Sequence, residues 1–351
     1  MKTIVTVVGI RPDFIRMSAI FKLLDLNFKH VLIHTGQHFD KNLSKNFFDQ
    51  FNIRDPDFNL KIGGDNKEHF YQTSELSIKI IELLRKEKIN PNFILFLGDS
   101  NSVISSVVLK KEGYKIGHIE AGMRSGDKRM LEEINRIVCD HCSDILFVYH
   151  DNYKNKLLKE GVNADSIHVV GNTIVEVCSD FAKKISKNDK TNSNILLDIH
   201  RPENFNDKSR MEWILEYAKI CNKKFDKPVE ILNFKRTINQ INKFKLSLEN
   251  VRTIELMNYG DYLKYIYNCK FIISDSGTAQ EEPALVKTKV IVPRDFTERP
   301  ESLDNNCSFM LNKTNFNESF EWLESDFEIK TDWLGDGKTA REIINKLKSN
   351  I

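Results

Sequence analysis

Gly117-His-Ile-Glu-Ala-Gly-Met-Arg-Ser-Gly-Asp127, followed closely by Leu131-Glu-Glu-Ile-Asn-Arg136, is the stretch that decides how this chain folds. Tyr114 and Ile116 lead into it as a short strand, and a helical pattern follows it. Between them lie Gly residues and charged side chains, which pack poorly and line a ligand site well. A strand that ends in such residues and passes into a helix is half of a βα unit. In open α/β sheets ligands bind just beyond the carboxyl ends of the strands. Glu120, Glu132, Arg124, Asp127 and Arg136 therefore read as the rim of an active site.

The same unit recurs on both sides. Lys2–Val8 is rich in Val, Ile and Thr, and it runs into Gly9-Ile-Arg-Pro12 and a helical pattern through Phe14, Met17, Ile20, Leu23 and Leu24. His30–Ile33 precedes the loop Thr35-Gly-Gln-His-Phe-Asp40, and Asn92–Leu97 precedes Gly98-Asp-Ser-Asn101. Ile145–Val148 and His168–Val170 add strands before Gly171-Asn-Thr173. A long helical pattern and the polar stretch Ser186–Ser193 come next. A second series then follows: Asn194–Ile199, Val229–Leu232, Val251–Ile254, Lys270–Ser274 and Lys289–Val292. Helices between strands imply parallel pairing with both sheet faces covered. The reading is two α/β halves, 1–172 and 173–337, with an amphipathic C-terminal helix in 338–351 packing back on the first. A chain of 351 residues is long enough for two cores.

Composition excludes several classes of function. Lys+Arg 52 against Asp+Glu 50 leaves no field to recruit nucleic acid or an anionic membrane. Lys183-Lys184 and Lys223-Lys224 read as solvated helix faces. The apolar start, Thr3 to Ile10, stops at Arg11 and lacks a cleavage signal, so no export is expected. No window reaches the ~18 apolar residues of a membrane span. Six scattered cysteines fit buried thiols in a reducing, cytoplasmic compartment. Cys139-Asp-His-Cys142 has metal-ligand spacing, yet no second pair completes a zinc set. It reads as structural thiols in a helix.

Three further segments carry chemistry. Arg11 and Arg16 flank a strand–Gly–helix start, whose amides and positive helix end favour a phosphate; a surface ion pair is the other reading. No G-x-G-x-x-G is present, which argues against a dinucleotide cofactor. Ile272-Ile-Ser-Asp-Ser-Gly-Thr-Ala-Gln-Glu-Glu282 ends a buried strand in small residues that open a helix. Backbone amides and hydroxyls at Ser276, Gly277 and Thr278 suit a diphosphate there, and the carboxylates one turn later suit ribose hydroxyls; the other reading is a Ser N-cap with acidic residues in the first turn. Asp198-Ile-His-Arg-Pro-Glu-Asn204 places His200, titratable near neutrality, at a strand end. Other histidines have weaker claims: His69 and His150 read as exposed, His30 as strand edge.

Taken together these segments resemble the non-hydrolysing UDP-N-acetylglucosamine 2-epimerase family, which includes relatives acting on UDP-2-acetamido-2,6-dideoxy-L-hexoses. The resemblance rests on Gly9-Ile-Arg-Pro12, His34-Thr-Gly-Gln-His38, Gly98-Asp99, His118-Ile-Glu-Ala-Gly122, Glu132-Glu-Ile-Asn-Arg136 and Gly171-Asn-Thr173. It continues through His200-Arg201, Ser274-Asp-Ser-Gly277, Gln280-Glu-Glu282, Glu298-Arg-Pro-Glu301 and Gly335-Asp-Gly337, in family order over nearly the whole chain. It implies two Rossmann-like domains facing a deep interdomain cleft (GT-B-like), usually in a homodimer. It also implies inversion at carbon 2 of a UDP-N-acetylhexosamine through loss and return of UDP, feeding polysaccharide biosynthesis, with no cofactor and no metal. By carry-over, Asp99, Glu120 and Glu132 are the acid–base candidates, and His200 contacts the diphosphate. Arg11, Ser276 and Gly277 hold phosphates, Glu282 the ribose, Arg299 the sugar or phosphate, and Tyr262 the uracil. Arg16, Arg124 and Arg136 are charge partners.

The chain departs from the family pattern in places. Leu131 stands where a Pro is usual, and Phe234-Lys-Arg-Thr237 replaces a His-Pro-Arg-Thr element. Thr278, His34-Thr-Gly-Gln37 and Gly98-Asp-Ser-Asn-Ser102 lean towards the 6-deoxy-sugar relatives, and Gly171-Asn-Thr173 towards UDP-GlcNAc enzymes. Competing readings are a glycosyltransferase of the same architecture, for which no acceptor-docking patch is visible, and a nucleotide-sugar-binding protein without turnover.

Overall fold

The computed structural model describes residues 1–36, 45–63, 69–127, 130–185 and 190–351. The motif positions Gln37 and His38 lie outside these residues, as does the side chain of His69. The chain divides into two compact units, Met1–Val177 with Leu334–Ile351, and Cys178–Trp333.

The first unit holds a seven-stranded parallel sheet built from β1 (Thr3–Val8), β2 (Lys29–His34), β3 (Phe58–Asn59), β4 (Phe93–Leu97), β5 (Ile116–Ile119), β6 (Ile145–Val148) and β7 (Ile167–Val169). Its order is β3-β2-β1-β4-β5-β6-β7. Val5, Val7, Ile33, Ile94 and Phe96 are buried against Ile80 and Leu84 of the helix His69–Lys86. The closing helix, Thr339–Asn350, belongs to this unit and ties Lys348 Nζ to Asn27 Oδ1 at 2.6 Å.

The second unit has six parallel strands: β8 (Asn194–Asp198), β9 (Val229–Leu232), β10 (Val251–Ile254), β11 (Cys269–Ser274), β12 (Lys289–Val292) and β13 (Ser308–Met310), ordered β10-β9-β8-β11-β12-β13. Ile195, Leu197, Ile231 and Ile273 pack on one face with Ile214 and Ala218, while Leu196, Ile272 and Val290 pack on the other with Leu263 and Ile266. That alternation is the period-2 pleat of a sheet covered on both sides. Among the described residues no helix is long and apolar enough to cross a membrane.

Both sheets reverse strand order at one place, between β1 and β4 in the first and between β8 and β11 in the second. Connections leave these neighbouring strands in opposite directions, which opens a crevice beyond their carboxyl ends. Gly9–Arg11 and Gly98–Asp99 stand at the first switch point; His200 and Asp275–Gly277 stand at the second.

Local corrections have plain causes. The two short strands β3 and β13 carry too few residues to show a period, and pairing to a neighbour alone makes them strands. Thr278–Glu282 is not one helix but a 3-10 turn, Thr278–Gln280, and a single α turn, Glu282–Leu285. Pro283 sits in that α turn, has no N–H to donate and favours a helix start there. His30 is not an edge residue: its ring stacks on Phe21 and bonds Thr6 Oγ1 at 2.8 Å and Asp25 Oδ1 at 2.6 Å. His150 is half-buried and caps the helix Asp151–Lys159 by accepting from the Asn152 amide.

Candidate active site

The first switch point gathers carboxylates around one buried arginine. Arg136, on the helix Leu131–Cys142, has no exposed surface. Its Nη1 donates to the Glu120 carbonyl at 2.7 Å and to Glu120 Oε1 at 3.2 Å, and its Nη2 donates to Asp99 Oδ2. One planar fork thus fixes two acids that follow neighbouring strands, β4 and β5. Glu120 Oε2 lies 3.1 Å from Arg16 Nη1 and accepts from the Tyr149 hydroxyl at 3.2 Å. Glu120 also has a φ of 68°, a left-handed backbone unusual outside Gly. Strain of this kind costs on the order of 1–3 kcal/mol and persists only where surroundings enforce it. Here the Arg136 bond to the Glu120 carbonyl is part of that enforcement.

The Gly171-Asn-Thr173 motif supports the same acid indirectly. Asn172 Oδ1 accepts from Arg16 Nη1 at 3.4 Å and from the Ile174 amide at 3.0 Å. Thr173 Oγ1 lies 2.7 Å from the Tyr149 hydroxyl. Helical spacing puts Glu132 one turn before Arg136 on a shared stripe, partly exposed, where Glu133 instead caps Ser125 and Gly126. Asn135 donates to the Asp99 carbonyl at 2.9 Å. Asp99 keeps 23% of its side chain exposed against 6% for Glu120.

Two expectations change. The amides of Gly9 and Ile10 do not wait for a phosphate: both donate to Asp13 Oδ2, at 2.8 and 3.1 Å. The chain supplies its own anion at this helix start, and Ser100 Oγ lies 3.4 Å from the same oxygen. Burial pushes the Asp13 carboxyl up to about 7, the two amides oppose this, and the charges of Asp99 and Glu120 add to it. Arg11, at the same turn, packs over the Phe47 ring at 5.3 Å. Arg124, expected as a partner of the acids, turns elsewhere. It donates to Glu160 at 2.9 and 2.7 Å and to the Met123 carbonyl at 2.8 Å, and lies 2.7 Å from Asp140 Oδ2. Sequence proximity to Glu120 misled here: Arg124, five positions past the end of β5, is drawn to Glu160 and Asp140 instead.

The second switch point is organised by two aspartates. Asp275 accepts from the amides of His200 and Arg201, at 3.0 and 3.1 Å, and from Asn204 Nδ2 at 2.9 Å. Asp198 accepts from Ser274 Oγ at 2.9 Å and lies 3.0 Å from His200 Nδ1. That contact assigns the Nδ1 proton and leaves Nε2 as the nitrogen for proton exchange. Burial disfavours the charged His200 ring, but Asp198 and then Asp275 outweigh it and raise its pKa above the ordinary value. Phe234, in the place of the usual His, lies beside this ring at 5.0 Å between centroids. Tyr262 is half-buried; burial together with the charges of Asp198 and Glu282 raises its phenol well above its usual range.

Ser276 Oγ lies 3.1 Å from Thr278 Oγ1, and Gly277 is packed directly on Arg299. The Arg299 guanidinium is buried on Glu281 at 2.7 Å and Glu298 at 2.9 Å, so it forms the floor under Gly277. A Cβ at position 277 would stand 2.7 Å from Arg299 Nη1. Since two buried carboxylates pin that group, Gly277→Ala is expected to displace the loop; on the expectation that this loop holds a diphosphate, it weakens UDP binding about tenfold, or 1.4 kcal/mol. Titration calorimetry with UDP checks this, and unchanged affinity would remove Gly277 from the phosphate site. Cys139 and Cys142 are both free thiols, and no group of three or more metal-ligating side chains occurs among the described residues.

Comparison with known proteins decides the class. The sequence profile of the UDP-N-acetylglucosamine 2-epimerase family matches residues 24–348. The chain belongs to that family, a family of isomerases. A UDP-N-acetylglucosamine 2-epimerase of Methanococcus maripaludis is 36% identical, covering 97% of this chain and 96% of the relative. A UDP-2,3-diacetamido-2,3-dideoxy-D-glucuronate 2-epimerase of Pseudomonas aeruginosa is 34% identical over 84% of each chain. The crystal structure of the Methanocaldococcus jannaschii UDP-GlcNAc 2-epimerase in complex with UDP-GlcNAc and UDP superposes with a TM-score of 0.90 at 33% identity, covering 99% of this chain and 100% of that one. The epimerase thus has the two-sheet, GT-B-like α/β architecture of these relatives.

Sequence reasoning had passed over Asp13, Tyr149, Asp198 and Asp275. Tyr149, Asp198 and Asp275 stand at or just beyond the carboxyl end of a strand, which was the available signal, and Asp13 stands in the first turn of the helix after β1. Their partners come from other elements, which no local pattern reports.

Proposed function

We propose that this epimerase inverts carbon 2 of a UDP-N-acetylhexosamine, with UDP-GlcNAc to UDP-ManNAc as its reaction. The observation that carries the reading is the shared arginine, Arg136, which sets Asp99 and Glu120 side by side. The proton on carbon 2 is too weakly acidic for direct removal by a carboxylate. Departure of UDP solves this: the C1–O bond breaks with its electrons going to the phosphate oxygen. The C2–H electrons then form the C1=C2 bond of a 2-acetamidoglucal as a carboxylate takes the proton. Return delivers a proton to the opposite face of carbon 2 while the phosphate oxygen attacks carbon 1. Two faces need two proton-handling groups, and Asp99, Glu120 and Glu132 are the set from which they come.

In this reading the diphosphate is held by Arg11 and by Ser276 and Gly277 over the Arg299 floor, and His200 protonates the leaving oxygen through Nε2. Glu282 takes the ribose hydroxyls and Tyr262 faces the uracil. Arg16 and Arg136 orient the acids, whereas Arg124 has no part in the chemistry. The product feeds polysaccharide precursor synthesis in the cytoplasm, in keeping with six free thiols. A homodimer would cover Phe70, Tyr71 and Ile78, which are exposed on one helix.

A second substrate, a UDP-2-acetamido-2,6-dideoxy-L-hexose, is supported by Thr278, which stands where bacterial members carry glycine, as in the relatives acting on 6-deoxy sugars. Incubation with each nucleotide sugar in deuterated water separates the two, because the true substrate gains deuterium at carbon 2 and the other stays unexchanged. Sugar transfer to an added acceptor without carbon-2 exchange would replace the epimerase reading by a glycosyltransferase.

A further inference from the structure

Beneath Asp99 and Glu120 lies a charged pair that the chemistry above does not use. His118, on β5, has no exposed surface. Its Nδ1 is 2.7 Å from Asp140 Oδ1 and its Nε2 is 2.8 Å from the carbonyl oxygen of Gly98. A backbone carbonyl only accepts, and so does an ionised carboxylate. A neutral ring has one N–H and would leave two lone pairs facing each other in a site without solvent, at the cost of an unmade buried hydrogen bond. The alternative is for Asp140 to carry the proton. That is disfavoured because its other oxygen accepts from the Gly122 amide at 3.1 Å and lies 2.7 Å from Arg124 Nη2.

We infer that His118 is held as an imidazolium and acts as a positioning residue, clamping the Gly98 carbonyl so that Asp99 stands at a fixed distance from Glu120. The inference rests on the assignment of those acids as the proton-handling groups. Its geometry is economical. Gly98 has a φ of 71°, so the backbone entering Asp99 is in a left-handed turn that the clamp secures. Through Asp140 the same pair also holds the amide of Gly122, two residues past Glu120. One buried dyad therefore ties together the loops after β4 and β5. The groups around it are Asp140 and the Cys139 thiol from the helix and Arg124, which is paired in turn with Glu160. Opposite charges alternate along the row, which offsets the cost of burying them. Burial works against the ring's charge, Cys139 and Asp140 outweigh it, and the His118 pKa rises to about 10. With the folded value above the ordinary one, the stabilisation is complete below about pH 6.5 and is lost as pH rises through about 10.

The test uses the full chain with nitrogen-15-labelled histidine and two-bond proton–nitrogen correlation, with His118→Gln identifying the resonance. Both ring nitrogens should show imidazolium shifts from pH 6 to pH 9. A neutral-tautomer pattern within that window overturns the inference. Asp140→Asn removes the carboxylate and leaves burial unopposed by it, so the ring should then titrate at or below its ordinary value of about 6.5. Carbon-2 exchange should gain a new limb there, falling as pH rises, which a purely structural role would not produce. His118→Gln should lower kcat for exchange about 10²-fold with UDP affinity unchanged; full kcat would overturn the positioning role. Should His118→Gln fail to fold, Asp140→Asn serves to identify the resonance and to carry the rate measurement. Because the spectra need no turnover, failure of the epimerase assignment is seen separately, as absent exchange in the unmodified protein.

Discussion

Replacing Glu120 by Gln is expected to lower solvent deuterium incorporation at carbon 2 by about 10²–10⁴-fold while leaving the affinity for UDP unchanged. Glutamine keeps the shape and one acceptor oxygen for Arg136, and its amide N–H can donate to the Tyr149 hydroxyl in place of the bond from Arg16. Arg136 still holds the carbonyl of the left-handed turn at position 120. What disappears is the negative charge and the capacity to exchange a proton. The residues proposed to hold UDP, His200 and Ser276–Gly277, belong to the other unit. The comparison is therefore exchange rate against UDP calorimetry in the same preparation. Undiminished exchange would remove Glu120 from the acid–base set and leave it a scaffold for Arg136.

Arg136 carries the second large effect. Arg136→Leu is expected to cost about 3–5 kcal/mol of stability in denaturant unfolding and to abolish exchange, because it leaves buried Glu120 and half-buried Asp99 without their shared cation. Arg16 lies 3.1 Å from Glu120 Oε2, the oxygen opposite the one that Arg136 holds. Arg136→Lys restores the charge but not the fork, since an ammonium group cannot match a planar two-acid grip. It should recover most of the stability and little of the rate. A leucine variant as stable as the parent would show that the buried acids are neutralised in some other way. A lysine variant with full rate would show that the spacing between Asp99 and Glu120 is not what the arginine provides.

Much of this site was visible in the sequence because its parts are local. An apolar run that ends in a charged or titratable residue is a strand end, and Asp99, Glu120 and His200 all carry that signature. Repetition of the unit gave the two parallel sheets and placed the chemistry at their carboxyl ends. What could not be read depends on partners distant in the chain. Asp13 reads as a polar residue in the first turn of a helix, and only the fold shows it taking the amides of Gly9 and Ile10 from any phosphate. Arg124 adjoins the decisive motif, yet Glu160, 36 residues later, pulls it away. Tyr149 looks like one more aromatic at a strand end until its hydroxyl is seen between Glu120 and Thr173. The broken turn at Thr278–Leu285 was different: Pro283 was in plain view, and its lack of an N–H was enough to anticipate the interruption.

The most direct test of the account follows oxygen rather than hydrogen. UDP-GlcNAc carrying oxygen-18 in the bridge between carbon 1 and phosphorus is incubated with the protein, and the label is located by phosphorus NMR as epimerisation proceeds. Elimination and re-addition of UDP predict that the label spreads into the non-bridging positions of that phosphate, in company with deuterium uptake at carbon 2. Deuterium uptake with the label still wholly in the bridge would contradict the account, since carbon 2 would then be inverting without the C1–O bond ever breaking.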